Sequence, residues 1–270
     1  NRGYGLIIGR IQSGKTAHLI GLCLKLIDSE EIEKPFDTVI VLSGLIDDLR
    51  KQTYDRFNKS IINHQAELTL IPERSDDIGL GSTEELNSIS THFTSVTAKP
   101  KIIVIKKFHS VLESIVEHLR PYRQLIRKRR ILIIDDEADH ASIDTNQEDE
   151  DEDSEHDIPS KTNRLVRQLI LLASRGDFVW YLGYTATPYA NLLIHPEVGE
   201  NDPVNGMSLF PRDVIHCLTQ PPNHLDNQLY FGTANCQNIR IINPTLNEVE
   251  EYSKVSEMII RHILTKEIKL

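Results

Sequence analysis

Between the apolar run Leu6-Ile7-Ile8 and an apolar helical pattern stands Gly9-Arg10-Ile11-Gln12-Ser13-Gly14-Lys15-Thr16. This G-x-x-x-x-G-K-[ST] arrangement requires a strand that ends in a tight glycine loop and turns directly into a helix, which restricts the chain to an α/β architecture. Its chemistry is equally restrictive. Glycines let backbone N–H groups curl around phosphate oxygens, and the start of the helix points its positive dipole end at them. The pattern predicts that Gly9, Arg10, Gln12, Ser13 and Gly14 cradle the phosphates of a nucleoside triphosphate. Lys15 then reaches the β and γ oxygens, and the Thr16 hydroxyl ligates Mg²⁺, making ATP and Mg²⁺ the expected ligands.

Apolar runs bounded by turn residues recur at 38–42, 68–71, 101–105, 131–135 and 178–182, and residues 16–28, 47–57, 108–119 and 161–174 carry apolar positions at three- and four-residue spacing. Alternation of the two with β-branched, two-sided apolar strands predicts a mainly parallel sheet covered by helices on both faces. Residues 1–195 read as one nucleotide-binding domain. From 196 the prolines at 203, 211, 221, 222 and 244 loosen the pattern, so that 196–270 reads as the start of a second unit or a linker, ending in an amphipathic helix at 246–265. The chain opens on Asn1 with its first strand almost at once, as a segment of a longer protein would.

Net charge is -10, but residues 148–157 alone carry eight carboxylates, so the acidity is local and says little against a polyanion partner elsewhere. The surrounding segment 146–158 is expected to be a solvated, disordered loop, because like charges repel and nothing apolar is available to bury. The three cysteines are far apart in sequence and unpaired by motif, which argues against a disulfide framework or a zinc site. No apolar run is long enough to span a bilayer, and the expected location is cytoplasmic.

A second motif completes the chemistry. Ile131-Leu132-Ile133-Ile134-Asp135-Asp136-Glu137-Ala138-Asp139-His140 is a buried strand that delivers carboxylates at its C-terminal end, where open α/β sheets bind ligands. One carboxylate would hold Mg²⁺ and the adjacent one would polarise the attacking water. Two registers exist because the aspartate is doubled. In the preferred one Asp136 is the metal carboxylate, Glu137 is the base, and Asp135 is left to orient Lys15 or Thr16; in the other the roles move one residue back, to Asp135 and Asp136.

With Asp136-Glu137-Ala138-Asp139, the segment Gly183-Tyr184-Thr185-Ala186-Thr187-Pro188 resembles motif III of superfamily II helicases and translocases, and Val39 to Leu42 followed by Leu49-Arg50-Lys51-Gln52 is similar to their motif Ia. The wording around Gly9 to Leu22, Ile134 to Asp139 and Gly183 to Asn191 resembles a narrower group, putative endonucleases with the so-called Z-one domain. That likeness runs over residues 3–232 and includes Leu209-Phe210-Pro211-Arg212-Asp213 and Tyr230-Phe231-Gly232. It implies a RecA-like ATPase core, DNA as partner, a role in restriction or defence, and Thr185 and Thr187 as relays of the nucleotide state. Lys106 and Lys107 fall where related motors meet the nucleic-acid backbone. The resemblance also implies a second RecA-like domain or partner subunit with an arginine finger, which is not recognisable within 270 residues, and no strand-borne D…[DE]-x-K nuclease set is found. The expected function is the ATP-binding and hydrolysing core of a superfamily II helicase- or translocase-like protein acting on DNA; the alternatives are a nucleotide-gated switch or assembly module without motor activity and, third, a nuclease in its own right.

Three further features carry two readings each. Tyr4 stacks on adenine or packs in the core. The cluster Arg120, Arg123, Arg127, Lys128, Arg129 and Arg130 contacts phosphates or finishes a helix. His140 couples the site to DNA or is a polar loop residue.

Overall fold

The computed structural model of the protein describes residues 2–10, 14–28, 35–64, 68–71, 83–95, 99–140, 160–174, 178–194 and 203–219. Their centre is a seven-stranded sheet. The strands are β1 (Arg2–Ile8), β2 (Thr38–Ser43), β3 (Thr69–Ile71), β4 (Lys101–Lys106), β5 (Arg130–Asp136), β6 (Phe178–Thr185) and β7 (Val214–Cys217). They lie in the order β3-β4-β2-β5-β6-β1-β7 and every pair is parallel. The helices are α1 (Lys15–Asp28), α2 (Asp47–His64), α3 (Thr83–Thr94), α4 (His109–Leu119), α5 (Arg123–Ile126), α6 (Lys161–Ala173) and α7 (Tyr189–Leu192).

Strand alternation assigns side chains to two cores. On one face Ile40, Leu42, Ile103, Ile105, Ile131, Ile133 and Tyr181 pack with α3, α4 and α6. On the other, Val39, Val41, Ile102, Val104, Leu132, Ile134 and Tyr184 pack with α1 and α2. Both faces are covered, which is why the strands read as continuous apolar runs. Helix α4 shows the matching pattern, burying Leu112, Ile115, Val116 and Leu119 as one stripe. Helix α6 begins at Ser160, whose Oγ accepts from the Asn163 backbone N–H at 3.2 Å and satisfies one of the orphan donors of the first turn.

The six expected strands and the helices expected at 16–28, 47–57, 108–119 and 161–174 are present, and α3, α5, α7 and β7 are additions. Helix α3 was hidden by its polar composition, with Ile89 and Phe93 as its buried anchors. Strand β7 is short and its four residues are exposed at the sheet edge, but it pairs with β1 from Gly5↔Val214 to Ile8↔Cys217. The boundary placed at 195 thus falls inside a compact unit that runs from Asn1 to His224. The acidic segment 146–158 and the helix expected at 246–265 lie outside the described residues. No helix among the described residues is long and apolar enough to cross a membrane.

Buried His92 supplies a stability test. Its Nε2 lies 2.8 Å from the Thr38 hydroxyl, and burial, aided by Lys101 and Arg129, lowers its pKa to about 3. A histidine held neutral in the fold protonates first in the unfolded chain, so stability is intact above about pH 6.5 and is lost as pH falls toward 3. Replacing His92 with Gln is expected to reduce the steepness of acid destabilisation in that window by up to about 1.4 kcal/mol per pH unit, read from denaturant unfolding at a series of pH values. An unchanged slope would remove His92 as the cause.

Candidate nucleotide-binding site

Strand order brings the two sequence motifs together. Strand β6 lies between β1 and β5, so the loop leaving β1, the threonines ending β6 and the carboxylates ending β5 emerge side by side. The Gly9 backbone N–H donates to the Thr185 carbonyl at 3.0 Å, tying the loop to the end of β6. Gly14 adopts φ 87°, a left-handed conformation in which a Cβ would be strained, and α1 starts at the next residue. The Lys15 ammonium lies over the loop, donating to the carbonyls of Gly9 at 3.0 Å and Arg10 at 3.1 Å. Gln12 and Ser13 lie outside the described residues.

An open cavity of about 1200 Å³ collects Gly14, Lys15 and Thr16 with Asp136, Glu137, Asp139 and Thr187. Arg56 and Lys59, one helical turn apart on α2, add positive charge to its wall and belong to no motif that would have singled them out. Burial lowers the Lys15 pKa, while the carboxylates of Asp136, Asp139 and Glu137 oppose that shift. Asp136 moves up, through burial first and then repulsion from Glu137. Burial thus disfavours the charged forms of a lysine and an aspartate that face the same open cavity.

The doubled aspartate separates by strand alternation. Asp136 follows Leu132 and Ile134 toward the α1 face and lines the cavity. Asp135 follows Ile131 and Ile133 toward the opposite face and is fully buried. It accepts from the Lys107 ammonium at 2.7 Å and from the Tyr181 hydroxyl at 2.8 Å. Asp135 therefore does not orient Lys15 or Thr16, and the register with Asp135 on the metal does not fit. Lys107 must be corrected with it. It has no exposed surface, and its ammonium is consumed by Asp135 and by the carbonyls of Asp136 and Glu137, so it cannot reach a nucleic-acid backbone. Lys106 points the other way, half-buried, with its ammonium 5.3 Å from the centre of the exposed Phe108 ring.

Asp139 joins the third motif to the second. Its Oδ1 accepts from the Thr185 hydroxyl at 2.7 Å, and its Oδ2 accepts from the Thr187 hydroxyl. The Thr187 backbone N–H donates to Thr185 Oγ1 at 2.9 Å. Burial pushes the Asp139 carboxyl up, but the bonds from Thr187 and Thr185 outweigh it and hold the group below its ordinary value. Glu137, two residues before Asp139, is the one non-glycine described residue with positive φ, 55°. Such a conformation costs about 1–3 kcal/mol and persists only where surrounding bonds enforce it. His140 is 61 % exposed and lies 3.5 Å from the Glu137 carboxylate, so it is a surface member of the same turn.

Tyr4 is packing: it is buried, 6.2 Å from the Tyr181 ring, with the Arg212 guanidinium 5.1 Å from its centre. Arg212 and Asp213 of the motif at 209–213 fasten the chain to β1, Asp213 accepting from the Tyr4 backbone N–H at 2.7 Å. Within the basic cluster, Arg127 donates to the Ser174 carbonyl at the end of α6, Arg129 to the His92 and Ser95 carbonyls at the end of α3, and Arg130 stacks on Phe178 at 4.2 Å. Those three arginines finish helices and cover rings at the amino-terminal ends of the strands, away from the cavity.

The donors facing the cavity suit a hard divalent cation: the Thr16 hydroxyl and the Asp136 carboxylate are oxygen ligands, and Mg²⁺ ordinarily takes one or two such groups together with phosphate oxygens and water. No cluster of three or more His, Cys, Asp or Glu able to hold a metal occurs among the described residues. Comparison of the sequence with protein-family models and with curated proteins finds no significant match.

Proposed function

We propose that this chain is the ATP-binding and hydrolysing core of a superfamily II helicase- or translocase-like protein acting on DNA, in a RecA-like domain, serving a restriction or defence-type system. The observation that carries the reading is the convergence of Lys15, Thr16, Asp136 and Glu137 on one cavity at the carboxyl ends of parallel strands, from motifs far apart in sequence. The bonds from Thr185 and Thr187 to Asp139 support the same reading, because they join the segment that resembles motif III to the segment that resembles D-E-A-D.

Each residue has a defined task. The ammonium of Lys15 neutralises β and γ oxygens. Thr16 and Asp136 would hold Mg²⁺, which supplies charge neutralisation across the transferring phosphoryl group. Glu137 accepts the proton of the attacking water. Asp139 holds the two threonines of β6's exit, so that a change at the γ position reaches the segment that follows them. Lys106 remains the candidate contact to the DNA backbone.

The test is equilibrium binding of a fluorescent ATP analogue with Mg²⁺, followed by turnover with and without DNA. Saturable Mg·ATP binding with slow turnover is expected of this chain, since no arginine finger is identified and such a residue contributes about 10³ to 10⁵ in P-loop enzymes that use one. Turnover should rise when DNA and a partner domain bearing that arginine are present. Absence of saturable binding overturns the reading; turnover of several per second without DNA overturns the composite site.

A further inference from the structure

Lys107 is an ionisable group with no exposed surface, and the proposed mechanism has not used it. Its ammonium has three protons and meets three acceptors: Asp135 Oδ1 at 2.7 Å, the Asp136 carbonyl at 3.0 Å and the Glu137 carbonyl at 2.7 Å. Tyr181 completes the network by donating to the other Asp135 oxygen; burial and the neighbouring carboxylate raise the Tyr181 pKa well above its ordinary value, so it remains a donor. Every polar group in this buried network is satisfied, the condition under which such a network rigidifies its surroundings.

The placement is informative. β4 is not next to β5; β2 lies between them. Lys107 anchors its own backbone N–H on the Ser43 carbonyl at the end of β2, then reaches past that strand to the turn after β5. Gly44, the residue after Ser43, borders the Glu137 side chain: a Cβ there would meet Leu49 at 2.8 Å and Glu137 Oε2 at 3.5 Å. The two carbonyls that Lys107 holds flank the left-handed residue Glu137. Without a cation under them these carbonyls would turn toward other partners and Glu137 would relax to an ordinary conformation, carrying its own carboxylate and that of Asp136 with it.

We propose that Lys107 is a positioning residue: a buried ammonium that pins the Asp136–Glu137 turn in its left-handed conformation and thereby sets the metal-facing and water-facing carboxylates. It acts through backbone carbonyls and from the face of the sheet opposite the cavity, and the proposal rests on the nucleotide-site reading above. The corresponding effect in metal sites, where outer groups orient the ligands, is typically about 10- to 100-fold in metal affinity.

The test uses Lys107→Met/Asp135→Asn, which removes both charges together and leaves Tyr181 an amide to bond, with Asp135→Asn alone as control. Binding of a fluorescent ATP analogue is measured with and without Mg²⁺, and hydrogen exchange is followed over residues 136–140, where the Ala138 N–H donates to the Tyr184 carbonyl and the His140 N–H to the Glu137 carbonyl, each at 2.8 Å. The double variant should bind metal-free nucleotide as wild type does, lose about 10- to 100-fold of the gain that Mg²⁺ confers, and exchange faster over 136–140 but not in β2 or β4. Asp135→Asn leaves the buried ammonium without its counter-charge and should melt below wild type. Because Lys107 still holds both carbonyls, the folded variant should keep the wild-type Mg²⁺ gain, and its exchange over 136–140 should rise no more than in β2 and β4. A folded double variant with the wild-type Mg²⁺ gain, or with wild-type exchange over 136–140, overturns the proposal. Should the double variant not fold, ¹⁵N–¹H spectra of the wild-type lysine ammonium groups decide: Lys107 must give a signal protected from solvent exchange and coupled to the Asp136 and Glu137 carbonyls, and its absence overturns the pin. If wild type binds no nucleotide, the functional reading fails separately, and the exchange measurement still decides the pin.

Discussion

Lys15→Ala is expected to abolish ATP binding and turnover while leaving the fold intact. The ammonium is the one side-chain cation of the loop that the motif places on the β and γ oxygens, and in the structure it faces three carboxylates across the cavity. Its bonds within the protein are to the carbonyls of Gly9 and Arg10, the first half-buried and the second exposed, so water can replace it there, and thermal unfolding should change little. A variant with wild-type affinity and wild-type ATPase rate would sink the assignment of the loop. Loss of affinity together with a large drop in melting temperature would show instead that Lys15 is mainly structural.

Glu137→Gln and Asp136→Asn are expected to fail differently. The first keeps shape and polarity but cannot accept a proton, so ATP stays bound and hydrolysis falls by about 10² to 10⁴. The second removes the cavity-facing metal carboxylate, so the dependence of binding on Mg²⁺ should weaken. Asp136→Asn has a further signature. A carboxylate whose folded pKa is raised lends stability at low pH that is lost as pH rises through the raised value, so at neutral pH the ionised Asp136 strains the fold. The asparagine variant should therefore melt higher than wild type at pH 7 to 8, by about 2–4 °C for each kcal/mol relieved, and the difference should vanish at strongly acid pH. Finding that Asp136→Asn traps ATP while Glu137→Gln turns over normally would restore the other register.

Sequence alone determined the α/β class and the ends of most elements, because a strand buried on both faces must be apolar throughout and a helix covering it must repeat at 3.6 residues. It also located the loop and carboxylate residues that converge on the cavity, though not Arg56 and Lys59, since a phosphate loop and a carboxylate-tipped strand each carry their chemistry in a short contiguous stretch. Tertiary structure decided everything that depends on which face a side chain takes. The pairs Asp135 with Asp136, and Lys106 with Lys107, are adjacent and chemically alike, yet alternation sends one member to the cavity or surface and buries the other in an ion pair. No periodicity in the sequence says on which side α1 will lie, so no reading of these residues in line could separate them. Arg127, Arg129 and Arg130 were likewise indistinguishable from a phosphate-binding patch until the carbonyls and rings that they cover, contributed by distant segments, came into view. Charge and apolar pattern are written along the chain; the partner that a charge finds is a property of the fold, because it comes from a segment whose position only packing sets.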